Sequence, residues 1–135
     1  MNSKNIFVQT YGCTSNKADS QIMMGLLRQA GYRITDNEND ADYLIVNSCA
    51  VKSATEDKII HRLKKLSKFN KKIIIAGCLT KVNSERIKKT VPNFSAMIDP
   101  RSVHKIVDVV EQVKDGKENI VELSEKPADK PKLPR

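Results

Sequence analysis

The sequence contains no tryptophan, and aromatic residues make up only 4% of its 135 positions. The hydrophobic core must therefore be aliphatic, built mainly from Ile, Val, Leu, Met and Ala. No apolar run approaches the length that crosses a bilayer. The start, MNSKNIFVQTYG, also lacks the basic stretch and apolar run of a secretory signal. These absences predict a cytoplasmic protein without a membrane partner, and the length suits one domain.

Cysteine is scarce too, with three residues at positions 13, 49 and 78. Cytoplasmic thiols stay reduced, and an odd number of cysteines cannot pair completely. A disulfide framework is therefore not expected, and the placement of the three thiols becomes the informative feature.

Short apolar runs that favour strands alternate with segments of helical periodicity. This alternation predicts an α/β fold with an open parallel sheet of four to five strands and helices on both faces, a flavodoxin-like or Rossmann-like arrangement of three layers. Asn16 is expected to cap the first helix, with Asp19 and Ser20 in its first turn. Residues 1–123 are expected to form the domain. Residues 124–135, SEKPADKPKLPR, predict a linker towards a further domain.

Each cysteine follows a predicted strand and precedes a predicted helix. In a parallel sheet all such turns lie at the carboxyl ends of the strands, where ligands of open α/β sheets bind. Helix N-termini there favour thiolates, and three converging thiolates need a cation to neutralise them. The positions of Cys13, Cys49 and Cys78 therefore predict a metal centre.

Two kinds of metal centre fit three thiolates. They can hold three corners of a [4Fe–4S] cluster and leave one iron open. They can also hold zinc with an added histidine or water. His61 and His104 fall on predicted helices rather than at strand ends, so we expect both to be surface or boundary residues.

Three segments, TYGCTSNKADS, ADYLIVNSCAV and IIIAGCLTK, resemble the signature segments of the amino-terminal domain of radical-SAM methylthiotransferases. Ser48 stands where the second signature usually has threonine. The LTKVN that follows Cys78 resembles the archaeal and eukaryotic branch, which modifies threonylcarbamoyladenosine in tRNA. The positions that match the family pattern are Thr10, Gly12, Cys13, Asn16, Asp19, Ser20, Asn47, Cys49, Gly77 and Cys78.

The resemblance implies a role for this domain in a larger enzyme. The three cysteines would bind an auxiliary [4Fe–4S] cluster whose open iron receives the sulfur to be transferred. A central domain would bind a second [4Fe–4S] cluster through CxxxCxxC and cleave S-adenosylmethionine, so that a methylthio group is added at C2 of the adenosine next to the anticodon. A carboxy-terminal domain would grip the tRNA. The residues expected near the auxiliary cluster are Gly12, Asn16, Asn47 and Gly77.

The chain contains no CxxxCxxC motif. We therefore expect it to be a fragment of the enzyme, with no methylthiotransferase turnover and no cleavage of S-adenosylmethionine on its own.

Positive charge is concentrated in one segment of a chain whose net charge is +8, because residues 52–72 carry eight basic and two acidic side chains. Such a block suits a polyanion such as RNA. A solvated lysine-rich helix face is the alternative. The candidate RNA contacts are Lys58, Arg62, Lys64, Lys65 and Lys68.

Other functions stay open at this point. The domain could belong to an isopentenyladenosine tRNA or a ribosomal-protein methylthiotransferase. A flavodoxin-like FMN-binding module would use Thr10, Thr14 and Ser15 as a phosphate loop, although few aromatic residues are present to enclose a flavin. A non-catalytic RNA-binding domain would rely on the basic segment alone.

Overall fold

The computed structural model describes residues 5–11, 14–48, 53–69, 71–77, 79–82 and 84–122. Within these ranges the chain forms a six-stranded sheet in the order β2-β1-β3-β4-β5-β6, and every neighbouring pair is parallel. The strands are β1 (Asn5–Thr10), β2 (Arg33–Thr35), β3 (Tyr43–Ser48), β4 (Lys72–Gly77), β5 (Ala96–Ile98) and β6 (Ile120–Glu122).

The described helices connect these strands. They are α1 (Thr14–Gln29), α2 (Ser53–Leu66), α3 (Leu79–Val82), α4 (Ser84–Thr90) and α5 (Ile106–Lys114). Short 3-10 segments cover Glu38–Asp40, Ser67–Phe69 and Pro100–Lys105.

The sheet separates two apolar cores, which confirms the predicted three-layer α/β architecture. On one face, side chains of α1 and α5 such as Leu27 and Val109 pack on Ile45 and Ile74. On the other face, α2 and α4 cover Val46 and Ile75 with Leu63, Ile87 and their neighbours. Both cores are largely aliphatic, as the scarcity of aromatic residues requires.

The central strands are buried on both faces. All six residues of β3 and the last five of β4 are buried. Continuous apolar runs of this kind are typical of parallel strands covered by helices on each side, and LIV in β3 and III in β4 are such runs.

Two elements differ from the sequence-based expectation. The sheet has a sixth strand, β2, whose three residues pair with the start of β1 at the edge of the sheet. Three residues are too few to produce a strand period, so the sequence did not indicate it. The helical periodicity of SVHKIVDVVEQVKDG predicts one helix over residues 102–116, but the structure has a 3-10 segment, Pro100–Lys105, followed by the α-helix α5. Such 3-10 turns are frequent at helix N-termini.

Gly77 allows the ends of β3 and β4 to approach each other closely. Its backbone is left-handed, with φ of 96°. A Cβ atom at this position would lie 2.2 Å from the carbonyl oxygen of Ser48 and 2.7 Å from Oδ1 of Asn47. Since neither backbone nor a buried amide can move aside easily, only glycine fits where β4 ends.

We therefore expect Gly77→Ala to lower the free energy of unfolding by at least about 2 kcal/mol, because left-handed backbone strain alone costs about 1–2 kcal/mol and the clash adds to it. Gly25→Ala is the matched control, since a Cβ there meets nothing within 4 Å in the exposed middle of α1. It should raise stability by about 0.5–1 kcal/mol through helix propensity. Urea unfolding followed by circular dichroism measures both, and equal effects would contradict the packing role of Gly77.

Candidate functional site at the carboxyl edge of the sheet

The strands that follow β1 in sequence lie on opposite sides of it in the sheet. β2 follows β1 in sequence but lies outside it, whereas β3 and β4 lie on its other side. Such a switch point opens a crevice at the carboxyl ends of the strands, where ligands of open α/β sheets bind. We call the ends of β1, β3 and β4 the carboxyl edge. Its paired residues are Thr10 with Asn47 and Ser48 with Gly77.

The three cysteines belong to segments that leave this edge. Cys49 and Cys78 each follow the last residue of a strand directly, and Cys13 follows Thr10 by three positions. These cysteines and Gly12 lie outside the described residues. Their expected role as ligands therefore stays a prediction, supported by where the neighbouring strands end.

A hydrogen-bonded group, which we call the polar triad, consists of the half-buried Thr10 and the buried Ser20 and Asn47. The Asn47 side chain is fully buried and donates through Nδ2 to Oγ of Ser20 at 2.9 Å. Oγ of Ser20 shares a second hydrogen bond with Oγ1 of Thr10 at 2.6 Å. The polar triad thus ties the ends of β1 and β3 to α1, in a low-dielectric setting that strengthens such bonds.

Two hydroxyl groups brace the end of β4. Oγ of Ser48 donates to the carbonyl of Ala76 at 2.6 Å and accepts from the amide of Leu79 at 3.3 Å. Oγ1 of Thr80 donates to the carbonyl of Gly77 at 2.7 Å. The backbone on both sides of position 78 is therefore held by buried hydroxyl groups. Serine at 48 supplies the same hydroxyl as the threonine that it replaces in the signature.

The structure corrects the predicted start of the first helix. α1 begins at Thr14, so Asn16 is already its third residue, whereas a capping residue precedes the first helical one. Asp19 and Ser20 accordingly lie beyond the first turn, which contains no acidic residue. The side chain of Asn16 lies outside the described residues. The prediction failed because TSN contains three polar residues that favour a cap, and sequence alone did not select among them.

Burial alters two ionisable groups near the edge. It raises the pKa of the Asp19 carboxyl and that of the Tyr11 hydroxyl, and the Arg62 charge offsets part of the Tyr11 shift. Asp99 is fully buried where β5 ends, next to β4. Sequence reasoning missed Asp99, although an aspartate directly after the apolar strand SAMI was a usable signal.

The exposed surface of α2 and of the 3-10 segment Ser67–Phe69 that follows it, which we call the basic face of α2, carries several lysines. Lys58, Lys64, Lys65 and Lys68 are all exposed, and no carboxylate pairs with them among the residues that the structure describes. The two acidic residues of α2 do not neutralise this face, because Arg86 of α4 binds both. Its guanidinium donates to Glu56 at 2.6 Å and to Asp57 at 2.8 Å.

Arg62 differs from these four lysines. Its Nε donates to Oε1 of Gln9 at 2.8 Å, and its guanidinium forms an ion pair with Glu38. Only 23% of the Arg62 side chain is exposed. The charge of this candidate RNA contact is thus already engaged within the chain.

No group of three or more His, Cys, Asp or Glu side chains suited to a metal occurs among the described residues, to which the cysteines do not belong. His61 and His104 are exposed, as expected. None of the helices in the described ranges combines the length and the apolar character that a bilayer crossing requires.

A family model described as "Uncharacterized protein family UPF0004" matches residues 5–99, which contain β1 to β5 and all three cysteines. The chain belongs to this family. UPF0004 is the amino-terminal domain of methylthiotransferases, so the family resemblance found in the sequence is confirmed.

Curated relatives of this UPF0004 domain carry two kinds of name. The chain is 36% identical over 132 residues to the Probable threonylcarbamoyladenosine tRNA methylthiotransferase of Pyrococcus horikoshii, over 96% of the chain and 30% of the relative. It is 36% identical over 126 residues to the Ribosomal protein uS12 methylthiotransferase RimO of Acaryochloris marina, over 93% of the chain and 28% of the relative. The chain spans less than a third of the length of these relatives.

The polar triad gives a structural explanation for three of the signature residues, because their side chains bind one another. Thr10 and Ser20 belong to the first signature segment and Asn47 to the second, yet the three side chains are joined by hydrogen bonds through Oγ of Ser20. Sequence reasoning had treated Ser20 as a helix-start residue and Asn47 as a donor near a cluster. It had no signal for their contact, because 27 positions separate them.

We expect Ser20→Ala to lower the free energy of unfolding by about 1–3 kcal/mol, because it removes the hydroxyl to which the buried Asn47 amide donates. Ser67→Ala is the matched control. Its hydroxyl donates to the Lys64 carbonyl in an exposed position, where water can replace it, so the loss should stay below about 0.5 kcal/mol. Chemical denaturation compares the two variants, and equal losses would contradict a stabilising role of the polar triad.

Proposed function

We propose that this chain is the auxiliary-cluster domain of a radical-SAM tRNA methylthiotransferase, in which Cys13, Cys49 and Cys78 bind a [4Fe–4S] cluster. The observation that carries the proposal is the placement of three adjacent strand ends, each followed by a cysteine, at the switch point of the sheet. The family assignment favours this function over an FMN-binding module.

Chain geometry supports a common site for the three thiols. Cys49 and Cys78 follow Ser48 and Gly77, which are partners in the β3–β4 register. Neighbouring strands are about 4.8 Å apart. Cys13 follows Thr10 by three residues, a span of at most about 11 Å, and Thr10 is paired with Asn47. The three cysteines are thus within reach of one small metal centre.

The donor set also fits the proposed group. Three thiolates can occupy three corners of a [4Fe–4S] cluster, which when bound would supply an iron with an open position for the transferred sulfur. The polar triad and the hydroxyl groups of Ser48 and Thr80 would hold the flanking backbone in place. His61 and His104 lie on a helix and a 3-10 segment rather than at the carboxyl edge, which favours this centre over zinc with an added histidine.

The basic face of α2 favours an RNA substrate over a ribosomal protein, and the LTKVN that follows Cys78 favours threonylcarbamoyladenosine in tRNA as that substrate. Lys58, Lys64, Lys65 and Lys68 form an exposed stretch of positive charge that no described carboxylate neutralises. Lysines of this kind bind the phosphate backbone of nucleic acids and release counterions. The remainder of the polypeptide would provide the S-adenosylmethionine site, the second cluster and further tRNA contacts.

Anaerobic reconstitution with iron and sulfide should load about four irons per chain and produce a broad visible absorption band. Cys13→Ala, Cys49→Ala and Cys78→Ala should each abolish stoichiometric loading, because each removes one ligand. Iron analysis and visible spectroscopy provide the measurement, with Lys65→Ala as the control that keeps full loading.

Two results would contradict the cluster. One is full iron loading in any of the three alanine variants. The other is one zinc per chain with no iron after the same treatment, which would favour the zinc alternative. Because an oxidised thiol cannot bind iron, the reconstitution must begin from fully reduced cysteines.

Reversing charge on α2 should weaken tRNA binding. The triple variant Lys64→Glu, Lys65→Glu and Lys68→Glu should flatten the slope of log affinity against log salt by about 2, if each lysine contributes one phosphate contact. Fluorescence anisotropy with labelled tRNA at several salt concentrations measures the slope.

The control carries the same change in net charge elsewhere. Arg28, Arg33 and Lys117 are exposed outside α2, so reversing these three should leave the salt slope nearly unchanged. If both triple variants lose affinity equally, the overall charge of the chain rather than the α2 face attracts RNA.

A further inference from the structure

A chain of side-chain contacts links the loop after β2 to the end of β1. Glu38 forms an ion pair with the guanidinium of Arg62 on α2. Nε of Arg62 donates to Oε1 of Gln9 at 2.8 Å. Nε2 of Gln9 then donates to the hydroxyl of Tyr11 at 3.1 Å. We call these four residues the Arg62 relay.

The chemistry of arginine fixes the polarity of the relay. A guanidinium has donors and no acceptor, so Gln9 must present its carbonyl oxygen to Arg62. The amide nitrogen of Gln9 therefore faces Tyr11, whose hydroxyl accepts. A planar guanidinium reaches a carboxylate and an amide at once through separate N–H groups, whereas a lysine ammonium has no such fixed fork.

Glu38, at the end of the relay away from β1, is held through its side chain by Arg62 and through its backbone by Lys71. Glu38 belongs to the 3-10 segment Glu38–Asp40, whose carbonyls at positions 38 and 39 accept from Nζ of Lys71 at 2.7 and 2.9 Å. Side chains of Arg62 and Glu38 are each only 23% exposed. An ion pair of limited exposure in a network holds its geometry better than an isolated surface pair.

Tyr11 is the last described residue before Gly12 and Cys13. Its amide donates to the carbonyl of Asn47 at 2.9 Å, which continues the β1–β3 ladder past Thr10. Backbone and side chain of Tyr11 are thus fixed independently, one by β3 and the other by the Arg62 relay.

We infer that Arg62, Gln9 and Tyr11 are positioning residues for the segment that carries Cys13. Sequence reasoning assigned Arg62 to RNA contact, but its engagement with Gln9 and Glu38 directs its charge towards β1. The inference rests on the proposed role of Cys13 as a ligand. It adds that α2 and the Glu38–Asp40 segment help to determine where this thiol stands relative to the other two.

The experiment measures the rate at which a single thiol is alkylated in the metal-free 135-residue chain. A background with Cys49→Ser and Cys78→Ser leaves only Cys13, and iodoacetamide labelling is followed by mass spectrometry. Arg62→Lys and Tyr11→Phe should each raise the Cys13 rate at least threefold, because each breaks the relay and frees the segment that carries Cys13. Arg62→Lys keeps the positive charge, so a charge effect alone predicts no change.

Two controls separate positioning from general loosening. In a second background, Cys13→Ser and Cys49→Ser, the Cys78 rate should be unchanged by either variant, because β4 does not take part in the relay. Lys65→Ala, also on α2, should leave the Cys13 rate unchanged. The double variant Arg62→Lys with Tyr11→Phe should react no faster than either single one, since both interrupt the same chain of bonds.

The inference would be overturned if the Cys13 rate in both variants stayed within 1.5-fold of its rate in the parent background. That ratio corresponds to about 0.2 kcal/mol in activation free energy. An equal acceleration of Cys13 and Cys78 would also overturn the inference, because it would indicate that the whole edge had loosened. Because the assay contains no iron, its outcome is independent of cluster loading. Either of the two reconstitution results that contradict the cluster would remove the proposed function and leave the positioning of the segment intact.

Discussion

Parallel pairing of β1, β3 and β4 is the constraint on which the rest of the structure depends. Burial of their aliphatic side chains on both faces keeps these strands in the middle of the sheet. Because the strands run in the same direction, their ends must meet at one edge. The close approach at Gly77, where a Cβ would meet the Ser48 carbonyl, fixes that edge most tightly between β3 and β4.

Buried polar side chains turn this edge into a rigid frame. Burying a hydroxyl or an amide is favourable only when each finds a partner, and here Ser20, Asn47 and Ser48 find theirs on neighbouring elements. The same bonds hold the backbone beside two of the three cysteine positions. A metal site needs such support, because ligands held by their surroundings lose little freedom when the metal binds.

The charge of α2 is divided between two roles. Its lysines face solvent and give the domain a surface suited to a polyanion. Arg62, one turn from Lys58 and Lys65, instead pairs with Glu38 and Gln9. Arg62 differs from the lysines because it lies on the side of α2 that faces β1. Its side chain therefore reaches polar partners within the chain, whereas the lysine side chains extend into solvent.

Much of the fold followed from local sequence patterns. Alternating strand and helix periods gave the three-layer α/β architecture, because apolar periodicity directly reflects burial. Three cysteines after three apolar runs gave the candidate site. β2 was missed, since three residues at a sheet edge carry no period. The start of α1 was misplaced by three residues, because several polar residues there can cap a helix.

The sequence by itself determined the α/β fold class, the aliphatic character of the core and that a cysteine follows each of three predicted strands. Only the tertiary structure decided the strand order, the contact of Ser20 with Asn47 and the inward engagement of Arg62. These depend on which distant segments become neighbours. Local periodicity records whether a side chain is buried, but it carries no information about the partner that a buried polar group meets.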